Sequence, residues 1–374
     1  MLIIDADSHV IESEATWKHL DPEFASRRPV PVTMPPDTSF LDWNTFWVID
    51  RQVRHFGATP IEGSVMAGRK SYPPGVQQLT DVKARLGAMD RMQVGKQLVH
   101  PSFTLSTLTE DPELEAALFE SYNTFMAEAC AQSGGRIFFN AVVPYRRPER
   151  AVAELRRLTR MNGIASVLVR GLEWDKPLDD PSHYPVFAEA ERLGLPMVVH
   201  LGVGSPSMYR MFEGMAHPAG EKKTFYPPRS RRLLSTLTVQ YAFYNLMEST
   251  LIDDFPKLKW VFLEGGGCTW MVGAVRTIQR TGKANVLDHF EQGRVLVGCE
   301  PDDDIPYAAG VLGENALLVS SDMPHFDEAA HDSIAEEYEE RGDLPAPLLA
   351  KMFAENAERT FAFDGRSTQS AHAA

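Results

Sequence analysis

Short apolar runs alternate with longer amphipathic stretches along nearly the whole chain. The runs fall at 2–6, 96–100, 137–143, 165–169, 195–200, 259–263, 295–298 and 316–320. Their length and β-branched content predict strands, buried on both faces. Between them the apolar spacing is helical, near 78–92, 112–132, after Pro148, and near 184–193, 234–250, 269–281 and 305–312. Helical segments at 328–340 and 346–361 end the pattern. The punctuation agrees. Asp111 stands where a helix N-cap belongs, Pro148 suits a first turn, and Gly194 stops a helix. Eight strands, each followed by a helix, predict a (β/α)8 TIM barrel. A doubly wound sheet needs a glycine-rich phosphate turn after the first strand, and none is present. Gly265-Gly-Gly267 lacks the dinucleotide spacing and reads as a site of tight packing.

Two stretches break the rhythm. Residues 10–76 form a long insertion after the first strand, rich in Pro, Trp and Phe, which reads as a compact lid over the barrel mouth. Residues 201–233 form a long loop after the fifth strand, with a basic run at Lys222, Lys223, Arg229, Arg231 and Arg232. The aromatic residues between 43 and 56 make either a wall of the site or the insertion's own small core. The expected organisation is one domain over 1–364 and a flexible tail over 365–374, where Ser, Ala and Gln accumulate.

Composition narrows the function. The chain has 374 residues, 44% of them hydrophobic, and a net charge of -14. That charge argues against nucleic acid and membrane surfaces as partners. No apolar run reaches the length of a membrane span. The three cysteines are an odd number without metal-type spacing, which fits a reducing, cytoplasmic setting.

The chemistry collects at strand ends. The chain opens Ile-Asp5-Ala-Asp7-Ser-His9, and strand alternation predicts that Asp5, Asp7 and His9 share one side. His200 follows the fifth strand, Glu264 the sixth, Glu300 the seventh and Asp322 the eighth. His100 and Arg170 end the second and fourth. Each alone has an ordinary structural explanation, but their recurrence at one rim of a barrel, where catalytic groups gather, points to a site. Carboxylates and imidazoles together suit a divalent metal. The competing reading is a rim of ion pairs without metal. Asp5 reads as a residue orienting a ligand or capping backbone amides, and Glu12 as the partner of an arginine across the mouth. Arg170 suits a substrate carboxylate through its planar fork, or a salt bridge along the wall. His325, three residues beyond Asp322, reads as a further site residue or as a structural histidine at a helix start.

In order along the chain stand Ile-Asp-Ala-Asp-Ser-His9 with Glu12, Met89-Asp-Arg-Met, Leu195-Pro-Met-Val-Val-His200, the run from Asp254 through Glu264 to Gly266, Ser321-Asp-Met-Pro-His325 and Asn356-Ala-Glu-Arg-Thr-Phe361. This set resembles the amidohydrolase superfamily, in its branch of aminocarboxymuconate-semialdehyde and γ-resorcylate decarboxylases. The resemblance implies one divalent transition metal per chain, Zn or Mn, held by Asp7, His9, His200 and Asp322. It implies Asp322 as proton donor. From their own places at the rim, Glu264 and His325 read as further catalytic candidates and Arg170 and Glu300 as substrate-binding ones, with Glu264 alternatively pairing with a basic loop residue. Two departures stand out. Asp7 replaces the family's first His or Glu, and Glu264 stands where many members carry a histidine.

The expected function is a nonoxidative decarboxylase of a phenolic or conjugated carboxylic acid, with a small carboxylic acid as partner. By family analogy a homodimer is expected. The alternative is a metal-dependent hydrolase or hydratase at the same site, in which Asp322 takes a proton from water. A third reading, a binding protein with a degenerate metal site, rests on Asp7 and Glu264.

Overall fold

The computed structural model describes residues 3–35, 37, 44–54, 72–213, 228–282, 285–325 and 330–363. Eight parallel strands close into a barrel. In chain order the strands are β1 (Ile3–Val10), β2 (Val30–Thr33), β3 (Thr45–Ile49), β4 (Gln52–Arg54), β5 (Val94–Pro101), β6 (Ile137–Ala141), β7 (Ile164–Val169), β8 (Met197–His200), β9 (Trp260–Leu263), β10 (Val295–Cys299) and β11 (Leu317–Val319). The barrel runs β1-β11-β10-β9-β8-β7-β6-β5 and back to β1. All eight predicted strands are present. The fold is a (β/α)8 barrel.

The helices follow the sequence pattern closely. Helices span Pro112–Ala131, Pro148–Leu158, Tyr184–Leu193, Thr269–Arg280 and Ile305–Leu312. Asp111 caps its helix by accepting from the amide of Glu113 at 3.0 Å, and Gly194 ends another at φ 69°. The glycine triplet is tight packing, as its spacing suggested. A Cβ on Gly265 would lie 2.3 Å from Trp270 Nε1, and one on Gly267 would lie 2.1 Å from Asp303 Oδ1.

Three expectations need correction. The insertion is more regular than its composition implied, because β2, β3 and β4 pair as an antiparallel sheet. The long loop after β8 contains a helix, Pro206–Glu213, and a further helix begins at Pro228. The closing 346–361 helix is broken by a π turn at Lys351–Glu355. The insertion's aromatics join the barrel rather than forming a separate core. Trp47 stacks on Phe103, just beyond β5, with ring centroids 5.4 Å apart, and meets Trp17 at 6.2 Å. Arg27 pairs with Asp50 inside the insertion at 2.8 Å and pins the insertion to the barrel through Asp111 at 2.6 Å. The 365–374 tail and Lys222 and Lys223 lie outside the described residues, as do the side chains of Arg229, Arg231 and Arg232.

Inside the barrel the lower layer is apolar. Ile4, Ala6, Leu98, Phe138, Ala165, Val198, Val261, Leu263, Leu296 and Leu318 pack there, and Ala357, Phe361 and Phe363 close it from below. Two residues further along several strands, the inward positions turn polar.

Candidate metal centre

One irregularity in β1 decides which side chains reach the mouth. Against β5, Asp5 pairs with Gln97 and Ser8 with Val99, so three steps on β1 match two on β5. This is a β-bulge, and it shifts the inward phase by one residue. Below it, Ile4 and Ala6 face the interior while Ile3 joins the outer layer. Above it, Asp7 and His9 face inward and Val10 joins the outer layer. The expectation that Asp5 shares a side with Asp7 and His9 therefore fails. Asp5 accepts from Ser321 Oγ at 2.6 Å, Ser321 N at 3.1 Å and Gln97 Nε2 at 3.0 Å. Gln97 in turn accepts from the buried guanidinium of Arg85 at 2.9 Å. Asp5 thus staples β1 to the chain beyond β11, and burial pushes its carboxyl up to about 7.

Both central histidines are oriented by the backbone. His9 Nδ1 lies 2.8 Å from the carbonyl of Pro101, and His200 Nδ1 lies 2.8 Å from the carbonyl of Leu201. A carbonyl only accepts, so each Nδ1 carries the hydrogen and each Nε2 is left to present its lone pair. Those two Nε2 atoms meet at Asp7. His9 Nε2 and His200 Nε2 each lie 3.3 Å from Asp7 Oδ1. His9 Nε2 is also 3.3 Å from Asp322 Oδ1, and His200 Nε2 is 3.6 Å from Glu264 Oε2. Buried as it is, His9 Nε2 makes no aligned hydrogen bond.

Donor atoms of Asp7, His9, His200 and Glu264 all lie within 4.8 Å of one another, and so do those of His9, Glu264, Asp322 and His325. Asp7, His9 and His200 meet with Glu264 in the first set, and Asp322 joins His9 and Glu264 in the second. Glu264 and Asp322 both carry left-handed backbones, φ 53° and 51°. For non-glycine residues this is costly, and such strain concentrates at functional sites. Here it turns both carboxylates from the ends of β9 and β11 toward the centre.

The electrostatics show what the centre lacks. Burial alone would raise the Asp7 carboxyl, but His200, His9 and His100 outweigh it and hold it well below its ordinary range. His200 is pushed up to about 9: burial opposes its charge, and Glu264 and Asp7 prevail. Glu264 rises well above its ordinary value, first through burial and then through Asp322 beside it. Burial and the neighbouring His325 take His9 down to about 3, keeping it neutral. Buried acids demand positive charge, and protons on His200 and Glu264 supply it. A divalent transition metal meets the same demand with the same atoms, so the residues fit one.

Other expectations fall elsewhere. Glu12 does not meet an arginine. It is fully buried and accepts from the amides of Ser102, Phe103 and Thr104 at 2.7 to 3.3 Å. Arg170 is 3% exposed and committed to Glu173 and to the carbonyls of Thr104 and Ser106. That is the wall salt bridge rather than a fork open to substrate. Glu300 gathers with Asp302 and His331 outside the two donor sets at His9, its carboxyl pushed up to about 7 by burial and by Asp303 and Asp302. His325 is drawn in, stacked on His9 with centroids 4.0 Å apart and its Nδ1 2.7 Å from Asp322 Oδ1. Ser102, 2.8 Å from His325 Nε2, was not singled out by the sequence. The only signal was its place just past a strand ending in His100. His100 itself is held by Asn140 Nδ2 at 2.9 Å and by the carbonyl of Ala6 at 2.9 Å.

The amidohydrolase family's model matches residues 80–363. The chain belongs to the amidohydrolase family. Among curated relatives of the family, the γ-resorcylate decarboxylase of Rhizobium radiobacter is 23% identical over 307 residues, 77% of this chain and 90% of the relative. An amidohydrolase structure from Mycobacterium avium subsp. paratuberculosis superposes with a TM-score of 0.75 at 23% identity, covering 96% of this chain and 99% of the other. The 5-carboxyvanillate decarboxylase of Novosphingobium aromaticivorans, solved with manganese and 4-hydroxy-3-methoxy-5-nitrobenzoic acid, superposes at 0.63 with 16% identity, covering 97% of this chain and 96% of that one. At these identities the solved structures establish the shared barrel. Among the described residues, no helix is long and apolar enough to cross a membrane. The three cysteines are free and buried.

Proposed function

We propose that this protein is a metal-dependent, nonoxidative decarboxylase of a phenolic or related aromatic carboxylic acid. The supporting observation is the convergence of His9 Nε2 and His200 Nε2, each with its Nδ1 tied to a carbonyl, on Asp7 beside Glu264 and Asp322. Relatives named as decarboxylases of γ-resorcylate and 5-carboxyvanillate support the substrate class. Asp7, His9, His200 and Asp322 would hold one Zn²⁺ or Mn²⁺, and the oxygen-rich donor set favours Mn²⁺. Held there, such an ion would supply a Lewis acid that polarises the substrate carboxylate.

The chain's own work is proton management. Cleavage of the bond to the carboxylate leaves its electron pair on the ring carbon, CO₂ departs, and the carbon must gain one proton. Glu264 and Asp322 lie side by side and buried, and Glu264 holds its proton well above the usual carboxyl range. Like charges so close resist ionising together, which suits this pair to holding a proton between them. Asp322 delivers it to the carbon, and Glu264 replenishes Asp322. Burial excludes bulk water from competing.

The test is CO₂ release from 2,6-dihydroxybenzoate and related hydroxybenzoates by Mn²⁺- or Zn²⁺-loaded protein, together with elemental analysis. About one metal per chain and stoichiometric CO₂ are expected. A loaded protein that releases no CO₂ from any of these acids, or that incorporates ¹⁸O from water into a hydrolysed product, overturns the reading.

A further inference from the structure

A second arrangement sits behind the metal centre, on the turn that leaves β5. Glu12, at the exit of β1, places its carboxylate on three successive amides, those of Ser102, Phe103 and Thr104. Arg170 takes two carbonyls of the same turn, at 3.4 Å from Thr104 and 3.0 Å from Ser106. The turn is therefore clamped by an anion on its donors and by a cation on its acceptors. Ser102 is 2% exposed, and Glu12 is fully buried.

From this fixed turn the Ser102 hydroxyl reaches His325 Nε2 at 2.8 Å, and His325 Nδ1 reaches Asp322 Oδ1 at 2.7 Å. The contact to Asp322 is close but not aligned as a hydrogen bond, so it is electrostatic, and the bond between Ser102 and His325 is the directional one. Serine, histidine and aspartate in this order match the geometry of a nucleophile with its base. The surroundings speak against that use. The amides of Ser102, Phe103 and Thr104, which would have to receive an oxyanion, are spent on Glu12. The His325 ring also stacks flat on His9.

We propose that Ser102 is a positioning residue: its hydroxyl fixes the His325 ring close beside the Asp322 carboxylate at the centre. Glu12 and Arg170 exist in this scheme to keep Ser102 still. The inference deepens the decarboxylase reading and takes from it the role of Asp322.

The experiment uses Zn²⁺-loaded, full-length protein with ¹⁵N-labelled histidine. In the wild type, an imidazole ¹⁵N resonance shifted by the hydrogen bond to Ser102 is expected that is missing in His325→Gln. In Ser102→Ala that resonance moves to the position of an imidazole without the bond. Turnover number falls by about tenfold, while KM and metal per chain stay within about twofold, the scale seen when residues behind metal ligands are removed. Ser102→Thr, which keeps the hydroxyl, restores both resonance and turnover. The proposal is overturned if Ser102→Ala keeps the resonance and the turnover. It is equally overturned if alanine and threonine variants are impaired alike, or if a fluorophosphonate labels Ser102. Should no acid be decarboxylated at all, the resonance still decides the positioning role, so its failure and the failure of the proposed reaction are read separately.

Discussion

Ile4 and Ala6 on β1 belong to an apolar floor, while Asp7 and His9, just above them, belong to a mouth where every inward group is charged or polar. The floor is filled by Leu98, Val198, Val261, Leu296 and Leu318, which need only shape and volume. The mouth holds His9, His100, His200, Asp7 and Asp322, all buried, each of which needs a named partner atom. The same strands carry both. The floor supplies stability, and the mouth spends it on a cluster of like charges and two left-handed backbones.

That contrast can be broken in four places. The largest effect is expected at the mouth. His200→Ala should lose its metal, and activity should fall by more than the roughly 100-fold typical of residues one layer behind a ligand. Its melting temperature in the metal-free state should also fall, because Asp7 and Glu264 lose the buried cation that offsets them. Elemental analysis with calorimetry checks both halves, and retained metal would remove His200 from the centre.

Next is Arg170, at the boundary. Arg170→Ala leaves Glu173 buried without its cation and should destabilise the fold by about 3–5 kcal/mol, with metal per folded chain unchanged. A variant that kept its melting point but showed a raised KM would return Arg170 to substrate binding.

In the floor, Leu318→Ala should cost about 2–5 kcal/mol through the cavity it leaves, measured by chemical denaturation. Metal stoichiometry should hold. Metal loss from this change would mean that floor and mouth are not separable.

The smallest effect lies outside the barrel. Arg192 and Arg156 pull the Glu189 carboxyl down to about 2, against burial. A depressed carboxyl adds stability that is present above its unfolded value near 4.5 and lost as pH falls toward 2. Because both arginines are well exposed, about 1–2 kcal/mol is expected. The melting-temperature gap between wild type and Glu189→Gln should therefore close between pH 5 and about 2, with no effect on metal content. A gap that widened on acidification would contradict the sign.

The barrel was legible because its strands are short β-branched runs, and because Asp111, Pro148 and Gly194 mark helix ends by backbone chemistry that acts locally. The gathering of Asp7, His9 and His200 in one set, with Asp322 beside His9 and Glu264 in a second, was legible because strand ends share one rim. What could not be read depended on single distant contacts. Glu12 was expected to seek an arginine, yet three amides, some ninety residues further on, satisfy it. Arg170 offered two readings until Glu173, three residues on, took its fork. Ser102 had no pattern around it. Its meaning comes from His325, brought to it by closure of the barrel between β1 and β11. The sheet β2-β3-β4 was hidden by prolines and by an insertion too irregular in period to announce alternation.

The slip in β1 has a consequence for anyone comparing or rebuilding this barrel. Counted by twos from Ile3, the strand would send its first carboxylate, Asp5, and its second, Asp7, to the same layer; as folded, they serve different masters, a staple outside and a cation seat within. Deleting Ala6 between them would remove the bulge yet leave Asp5 outside and Asp7 inside; forcing the intact motif into a regular strand would instead turn the seat to face the helices. Grafting this strand onto another scaffold therefore means transferring its misfit along with its ligands.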